Sequence, residues 1–314
     1  MELHNKNNRN RSSLKGDRIL KWEYQESDPT SLLDFISRKT GETRRTRLKS
    51  WLAHRQIAVN GIVTTQFDFP LAPDCEIALN ITRGFVRFRH PRMKLVYEDN
   101  DIIVVEKGYG LLSVATGSGK SESTAYSIIR DYLKDVCPSN KVFIIHRLDR
   151  DTSGLMMFAK NIQAKETMQH NWNNMVSDRK YVAVVEGCPE RKEGIIRSYL
   201  GETSQHEVYS STNPEDGKEA VTQFRTLKAG RQYSLVEFSL DTGRKKQIRV
   251  HSKVMGCPIS GDRKYGAGTS PLKRLCLHAQ TLHFVHPVTH KLMKFSTPVP
   301  SGFIRLTGGG GDID

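Results

Sequence analysis

Long apolar runs and paired cysteines are both missing from this 314-residue chain. No stretch of roughly 18 or more apolar residues occurs, so no helical membrane span is expected. The first twenty residues (MELHNKNNRNRSSLKGDRIL) hold no apolar core of the kind a secretory signal needs. The five cysteines, Cys75, Cys137, Cys188, Cys257 and Cys276, are odd in number and form no C-x-x-C pair, which argues against a disulfide framework and a zinc ribbon alike. A reducing, cytoplasmic setting is the expectation that follows. Acid is scarce relative to base: 34 Asp and Glu against 48 Lys and Arg leave a net charge of +14. An excess of that size suits a polyanionic partner such as nucleic acid.

What is present is unevenly spread. Residues 1–94 hold 18 Lys and Arg against 10 Asp and Glu, so under a third of the length carries over half of the excess. Within it, Arg38, Lys39, Arg44, Arg45, Arg47, Lys49 and Arg55 face one acid, Glu42. A second basic stretch, TRGFVRFRHPRMK, interleaves Phe85 and Phe88 with Arg83, Arg87, Arg89, Arg92 and Lys94. Either run alone reads equally well as a solvated face. Two such runs close together favour phosphate contact.

The length suits about two domains. Residues 1–20 read as a basic disordered arm, 21–85 as a small basic module, 86–307 as a larger domain and 308–314 as a flexible Gly-rich tail. In the module, LLDFISRKT predicts a short helix after Ser31. A second helix is predicted over TRRTRLKSWLAHRQ, with Leu48, Trp51, Leu52 and Arg55 at i, i+3, i+4 and i+7. IAVNGIVT predicts a tight hairpin, because Asn60-Gly61 tolerates positive φ at both turn positions. This helix, basic helix and hairpin resemble the RNA-binding module named after ribosomal protein S-four, over about residues 30–80. Family members usually have Gly-Arg before the hairpin strand, where this chain has Arg55-Gln56.

Beyond Lys94, strands are predicted around Asp99-Asn100-Asp101, then a helix over TAYSIIRDYLKDV capped by Ser123 or Thr124, then strands KVFII and GLMMFA flanking HRLDRDTSG. One helix is expected around Ala164, Met168, Trp172 and Met175, followed by a run of strands. The order fits an α+β fold better than alternating βαβ units. Gly119-Lys120-Ser121 matches the end of a phosphate-binding loop, but Val114 stands where its first glycine belongs, which disfavours nucleotide binding.

The segment His146–Gly154 concentrates groups that titrate or hydrogen bond between two apolar strands, which is costly unless they are paired or lie in a solvated cleft. HRLDRDTSGLMMFAK closely resembles the HRLDxxTSG signature of the RluA family of RNA pseudouridine synthases. YEDNDIIVVEK, RKYVAVVEG, TGRKKQIRVHSKVMGCPISGDRKYG and RLCLHAQTLHFVHPVTHKLMKF resemble other family segments in order and spacing, so the similarity spans about residues 94–303. It implies a mixed, mainly antiparallel sheet with flanking helices and a reaction without a cofactor. The glycosidic carbon–nitrogen bond of uridine breaks, the uracil turns, and the base rejoins the sugar through ring carbon five.

By resemblance the carboxylate that acts at the sugar is Asp149, either attacking the anomeric carbon or taking the ribose 2′ proton. Positive charge builds at the sugar in both routes, which a carboxylate suits. Asp151 competes, since in an extended chain it would point to the same side. A buried carboxylate needs a cation beside it to stay charged, and the resemblance supplies Arg249, with Arg244 as the weaker alternative. It also implies that Tyr181 stacks on the target uracil and serves proton transfer. Arg147 would fill the place of the flipped base, and His146 would orient the loop. Gln247 keeps its family position, whereas Lys245-Lys246 replace the family's Thr-His. RNA contacts are expected from Arg147, His146, Arg244 and Gln247, and from Arg44, Arg45, Arg47, Lys49 and Arg55 of the module. His251, His278, His283, His286 and His290 show no metal-site spacing, so no metal is expected. The partner is RNA, with large-subunit ribosomal RNA favoured over transfer RNA, and the chain is expected to be a monomer. The competing reading is a non-catalytic RNA-binding or ribosome-assembly protein.

Overall fold

The computed structural model describes residues 18–25, 30–82, 84, 85, 88–115, 122–136 and 140–308. The expected basic arm, apart from its last residues, the Gly119-Lys120-Ser121 stretch, and the Gly-rich tail beyond Gly308 lie outside them. The chain divides into two compact units, one before Phe88 and one from it onward.

The first unit is a four-stranded antiparallel sheet with two helices. Its elements are β1 (Ile19–Tyr24), α1 (Leu32–Thr40), α2 (Arg45–Ala53), β2 (Ile57–Val59), β3 (Ile62–Val63) and β4 (Cys75–Asn80), in sheet order β1-β4-β2-β3. Ser31 caps α1 by accepting the Asp34 amide, and Gly41 ends it in the left-handed region. Leu32, Phe35 and Ile36 of α1, Leu48, Trp51 and Leu52 of α2, and Ile57, Ile77 and Leu79 of the sheet share one core. The hairpin turns through Asn60 (φ 50°) and Gly61 (φ 78°), both positive as the N-G pair predicts.

This small sheet with its paired helices fits the module resemblance, with two differences. Strand β1 begins inside the span read as a disordered arm, pairing Ile19 with Asn80. Helix α2 stops at Ala53, so Arg55 is not its last turn. Arg55 instead holds a φ of 59°, a conformation that glycine adopts at no steric cost. That geometry explains why glycine suits this position in the family.

The second unit is built on one eleven-stranded sheet. Its elements are β5 (Met93–Glu98), β6 (Ile102–Lys107), α3 (Ala125–Val136), β7 (Phe143–Ile144), β8 (Ser153–Ala159), α4 (Ile162–His170), α5 (Trp172–Met175), β9 (Val176–Glu186), β10 (Glu193–Glu202), β11 (Val208–Ser211), β12 (Lys218–Lys228), β13 (Tyr233–Leu240), α6 (Gln247–Val254), β14 (Leu277–Val285), β15 (Leu292–Ser296) and α7 (Ser301–Leu306). The main path runs β11-β10-β12-β13-β9-β14-β8-β6-β5, with β15 on β14 and β7 on β8. Every strand pairing among the described residues is antiparallel except β14 with β8. The fold is therefore α+β, as expected.

That parallel junction positions the site. His278 and Ala279 of β14 lie opposite Ser153 and Gly154 of β8. A Cβ on Gly154 would come within 2.2 Å of the Ala279 carbonyl, and Gly154 has a φ of 118°. Only glycine lets β8 start so close to β14, a packing reason for the last residue of the HRLDxxTSG segment. The helix expected across Ala164 to Met175 is two helices, broken at Asn171, whose amide group caps the Thr167 carbonyl.

Candidate active site

The segment before β8 does not run extended. The Thr152 amide donates to the Asp149 carbonyl at 3.2 Å, closing a turn over residues 149–152. The turn separates the two candidate acids, which corrects the expectation that they share a side. Asp149 faces a cavity of about 230 Å3 lined also by Arg147, Tyr181, Arg244, Lys246, Gln247 and Arg249, and Asp151 is not among its lining residues. Lys107, completely buried at the end of β6, ties the turn down by donating to the carbonyls of Arg150 at 3.0 Å, Leu111 at 2.8 Å and Gly108 at 3.0 Å. Burial lowers its pKa to about 8, and the nearby charges of Asp151 and Asp149 oppose that shift.

Arg249 is no solvent-facing helix residue: it points inward from α6 and is nearly buried. Its Nη1 donates to Asp149 Oδ2 at 3.2 Å, while Nε and Nη2 fork onto the two oxygens of Asp262, each at 2.7 Å. The guanidinium also lies 4.9 Å from the Tyr265 ring centroid. Burial alone would lower the Arg249 pKa, but the hydrogen bonds and charge of Asp262, then of Asp149, more than reverse it, so Arg249 is a fixed cation. Asp262 is the functional partner that sequence reasoning missed. It belongs to the GDRKYG segment already matched to the family pattern, and its position as the lone acid there was the available signal.

Tyr181 lies on β9, opposite Phe238 and Ala279 of the neighbouring strands. Burial raises its phenol pKa, so it stays protonated at neutral pH. Arg147 is exposed at the cavity mouth with no hydrogen bond or ion pair to other described residues. Arg244 reaches the cavity while its Nε donates to the Glu219 carbonyl at 2.9 Å. The His146 Nε2 accepts the Met157 amide at 3.0 Å, and burial lowers its pKa to about 4, so the ring is neutral.

Gln247 needs correction, because its amide is fully used inside the protein. Its oxygen accepts from the Arg244 amide and the Thr242 hydroxyl, and its nitrogen donates to the Val221 carbonyl and Thr222. It shapes the 242–247 loop and has nothing left to offer RNA. Lys246 opens α6 with a φ of 57°.

The basic residues expected in the first unit split into two groups. Arg44 and Arg47 both pair with Glu42, and Arg47 also lies 5.7 Å from the Trp51 ring centroid. Arg45 and Lys49 are exposed with no ion pair to described residues, and Arg55 is half-buried beyond the helix.

Among the described residues, Asp99, Asp101 and His286 form the one cluster whose donor atoms could share a metal. Their atoms are already engaged. His286 Nε2 donates to Asp99 at 2.9 Å while its Nδ1 accepts the Val288 and Thr289 amides, Asp99 accepts the Asp101 and Ile102 amides, and Asp101 accepts from Asn161. The cluster pins the β5–β6 turn. No helix among the described residues is long and apolar enough to cross a membrane.

Comparison with known proteins agrees with this architecture. A family model described as RNA pseudouridylate synthase matches residues 101–253, the stretch from β6 to α6 that supplies Asp149, Tyr181 and Arg249. An uncharacterized RNA pseudouridine synthase of Bacillus subtilis, YlyB, is 33% identical over 279 residues, covering 87% of this chain and 91% of its own. Ribosomal large subunit pseudouridine synthase D of Pasteurella multocida is 31% identical over 283 residues, covering 83% and 85%. Human RNA pseudouridylate synthase domain containing 4 shares the fold, with a TM-score of 0.55, 23% identity, and coverage of 67% of this chain and 90% of that one. The chain belongs to the RluA family of RNA pseudouridine synthases and is an isomerase that acts on RNA.

Proposed function

We propose that this chain converts a uridine of large-subunit ribosomal RNA to pseudouridine, with Asp149 as the catalytic carboxylate. The observation that carries the assignment is the Asp149–Arg249–Asp262 chain, whose first two members line the cavity. An ionised carboxylate beside a cation that cannot shed its proton is what either route at the sugar requires. Arg249 spends two donors on Asp262 and one on Asp149, so Asp149 keeps its other oxygen for the ribose.

Tyr181 closes the cavity with a protonated phenol, suited to stacking on the uracil and to donating a hydrogen bond. A phenolate base is disfavoured by the same burial. Arg147, exposed and unengaged among the described residues, suits the gap a flipped base leaves in its stack. Over the reaction the C1′–N1 bond breaks, C1′–C5 forms, the proton on ring carbon five leaves, and N1, released from the sugar, takes up a proton, so the product is an isomer of the substrate.

Large-subunit ribosomal RNA is favoured by the relatives named for that subunit, which cover over four-fifths of this chain. Exposed cations Arg45 and Lys49 on the first unit supply sequence-independent phosphate contact of the kind a structured RNA needs. Pseudouridine mapping in ribosomal and transfer RNA from cells with and without the gene tests the reading. Loss of a large-subunit position, restored by the wild-type chain and not by Asp149→Asn, is the expected result. Loss confined to transfer RNA would overturn the ribosomal assignment, and restoration by Asp149→Asn would overturn the catalytic one.

A further inference from the structure

A second, larger cavity of about 400 Å3 adjoins the first, sharing Arg147, Tyr181, Leu240, Gly243 and Arg244 with it. Its size falls in the roughly 300–1,000 Å3 of small-molecule sites. Nothing in the reaction at Asp149 uses its remaining walls. Three arginines line it, Arg147, Arg179 and Arg244, and no acid does. Trp172 forms an aromatic wall, half-exposed, with the His146 ring 5.0 Å away and the Arg179 guanidinium 5.8 Å from the indole centroid.

Arg179 stands on β9, two residues before Tyr181. It is half-buried and forms no ion pair with a described residue, and its hydrogen bonds go to the Leu240 carbonyl at 3.2 Å and, at the limit, the Asp241 carbonyl at 3.5 Å. The Asp241 carboxylate is spent on the Gln223 amide. The neighbouring loop makes room for it: a Cβ on Gly243 would sit 2.7 Å from Arg179 Nη1. The Asp241 charge acts on Arg179 from nearby, but no carboxylate among the described residues forms an ion pair with it, so a half-buried cation in a wall without acids suits a phosphate supplied by the ligand. Two further donors point the same way. His146 accepts at Nε2, so Nδ1 carries its proton, and neither that N–H nor the Trp172 indole N–H has an acceptor among the described residues.

We propose that this cavity binds the nucleotide next to the target uridine, its base stacked on Trp172 and its phosphate on Arg179. Aromatic stacking joined to unpaired arginine is the recurring way in which single-stranded nucleotides are held. The assignment rests on the uridine occupying the adjoining cavity, since the two share the Arg147–Tyr181 wall. It makes Trp172 and Arg179 determinants of which RNA is chosen. Target recognition then includes a second unstacked base, so the enzyme favours loops over paired stems.

The test pairs protein variants with altered RNA. The probe is a synthetic RNA hairpin spanning the converted uridine, with a ribose lacking its base placed before or after it. For the full-length wild type, removing one of the two neighbouring bases should weaken binding by about tenfold, the scale of one base–aromatic stack. Trp172→Leu should lose the same factor with the intact hairpin and lose nothing more when that base is removed. Arg179→Gln should raise KM while kcat at saturating RNA holds, and Arg179→Lys should recover part of the loss. Circular dichroism identical to wild type verifies that the variants fold. If the missing base weakens Trp172→Leu as much as wild type, or if neither missing base matters, the subsite is wrong. Pseudouridine formation by the wild type on the intact hairpin reads the proposed function separately, so the two can fail independently.

Discussion

The two units hold their cations in opposite ways. On the first, Arg45 and Lys49 stand in solvent without ion pairs to described residues. In the second, Arg249 is nearly buried, forked onto Asp262 and bonded to Asp149. An exposed cation attracts phosphate by charge alone, is screened by salt, and tolerates displacement. A forked, buried one fixes a carboxylate at a reacting atom, and there small displacements are expensive. The first arrangement suits bringing RNA near, and the second suits chemistry at a single sugar.

Breaking the buried side of this contrast should have the largest effect. Asp262→Asn leaves the Arg249 charge without its main partner. It should cost about 3 kcal/mol of stability in urea unfolding, together with most of the activity. Arg249→Lys keeps the charge but cannot fork onto Asp262 while reaching Asp149, so kcat should fall by about 10²-fold in single-turnover assays with little change in RNA binding.

The exposed side should respond differently. Arg45→Ala with Lys49→Ala should leave kcat at saturating RNA unchanged and weaken binding. The slope of log affinity against log salt should shrink by about one for each phosphate that is no longer neutralised.

The smallest effect separates the units by pH. His251 and His278 of the larger unit are buried and His146 is half-buried, and desolvation is the main cause that lowers the pKa of each to about 4. The unfolded chain binds protons at these sites below about 6.5, and the folded chain refuses them until about 4. Stability of this unit therefore falls as pH drops through that window. Between pH 7 and 6 the loss should be under about 1 kcal/mol per histidine. Amide exchange should register it in residues 88–308. The smaller unit, with no buried histidine among its described residues, should not show it.

Much of this was legible in the sequence because it is local. Ser31, the Asn60-Gly61 turn and the apolar spacing of α3 each act within a few residues, and the HRLD, RKY and QIR segments, singled out by resemblance, hold Asp149, Tyr181 and Arg249, which the fold brings to one cavity. Strand β1 was legible too, since Leu20, Trp22 and Tyr24 alternate with Lys21 and Glu23, but the basic arm before it masked the pattern. What stayed hidden depends on three-dimensional closure. Lys107 reaches Arg150 across 43 residues, and Asp262 meets Arg249 through a loop with no periodicity. Gln247 looked available because its type is polar, and only its four internal bonds show that it is not. The turn at Asp149–Thr152 separates two aspartates that any linear reading keeps together.

That separation allows the most direct test of the central claim, that the Arg249-bound acid does the chemistry. Tritium release from RNA labelled at ring carbon five of uridine should be measured for Asp149→Asn and Asp151→Asn side by side. Asp149→Asn should bind RNA normally and release no tritium above background, while Asp151→Asn should retain most of the wild-type rate. Near-normal release by Asp149→Asn, or silence of Asp151→Asn with Asp149→Asn active, would contradict it.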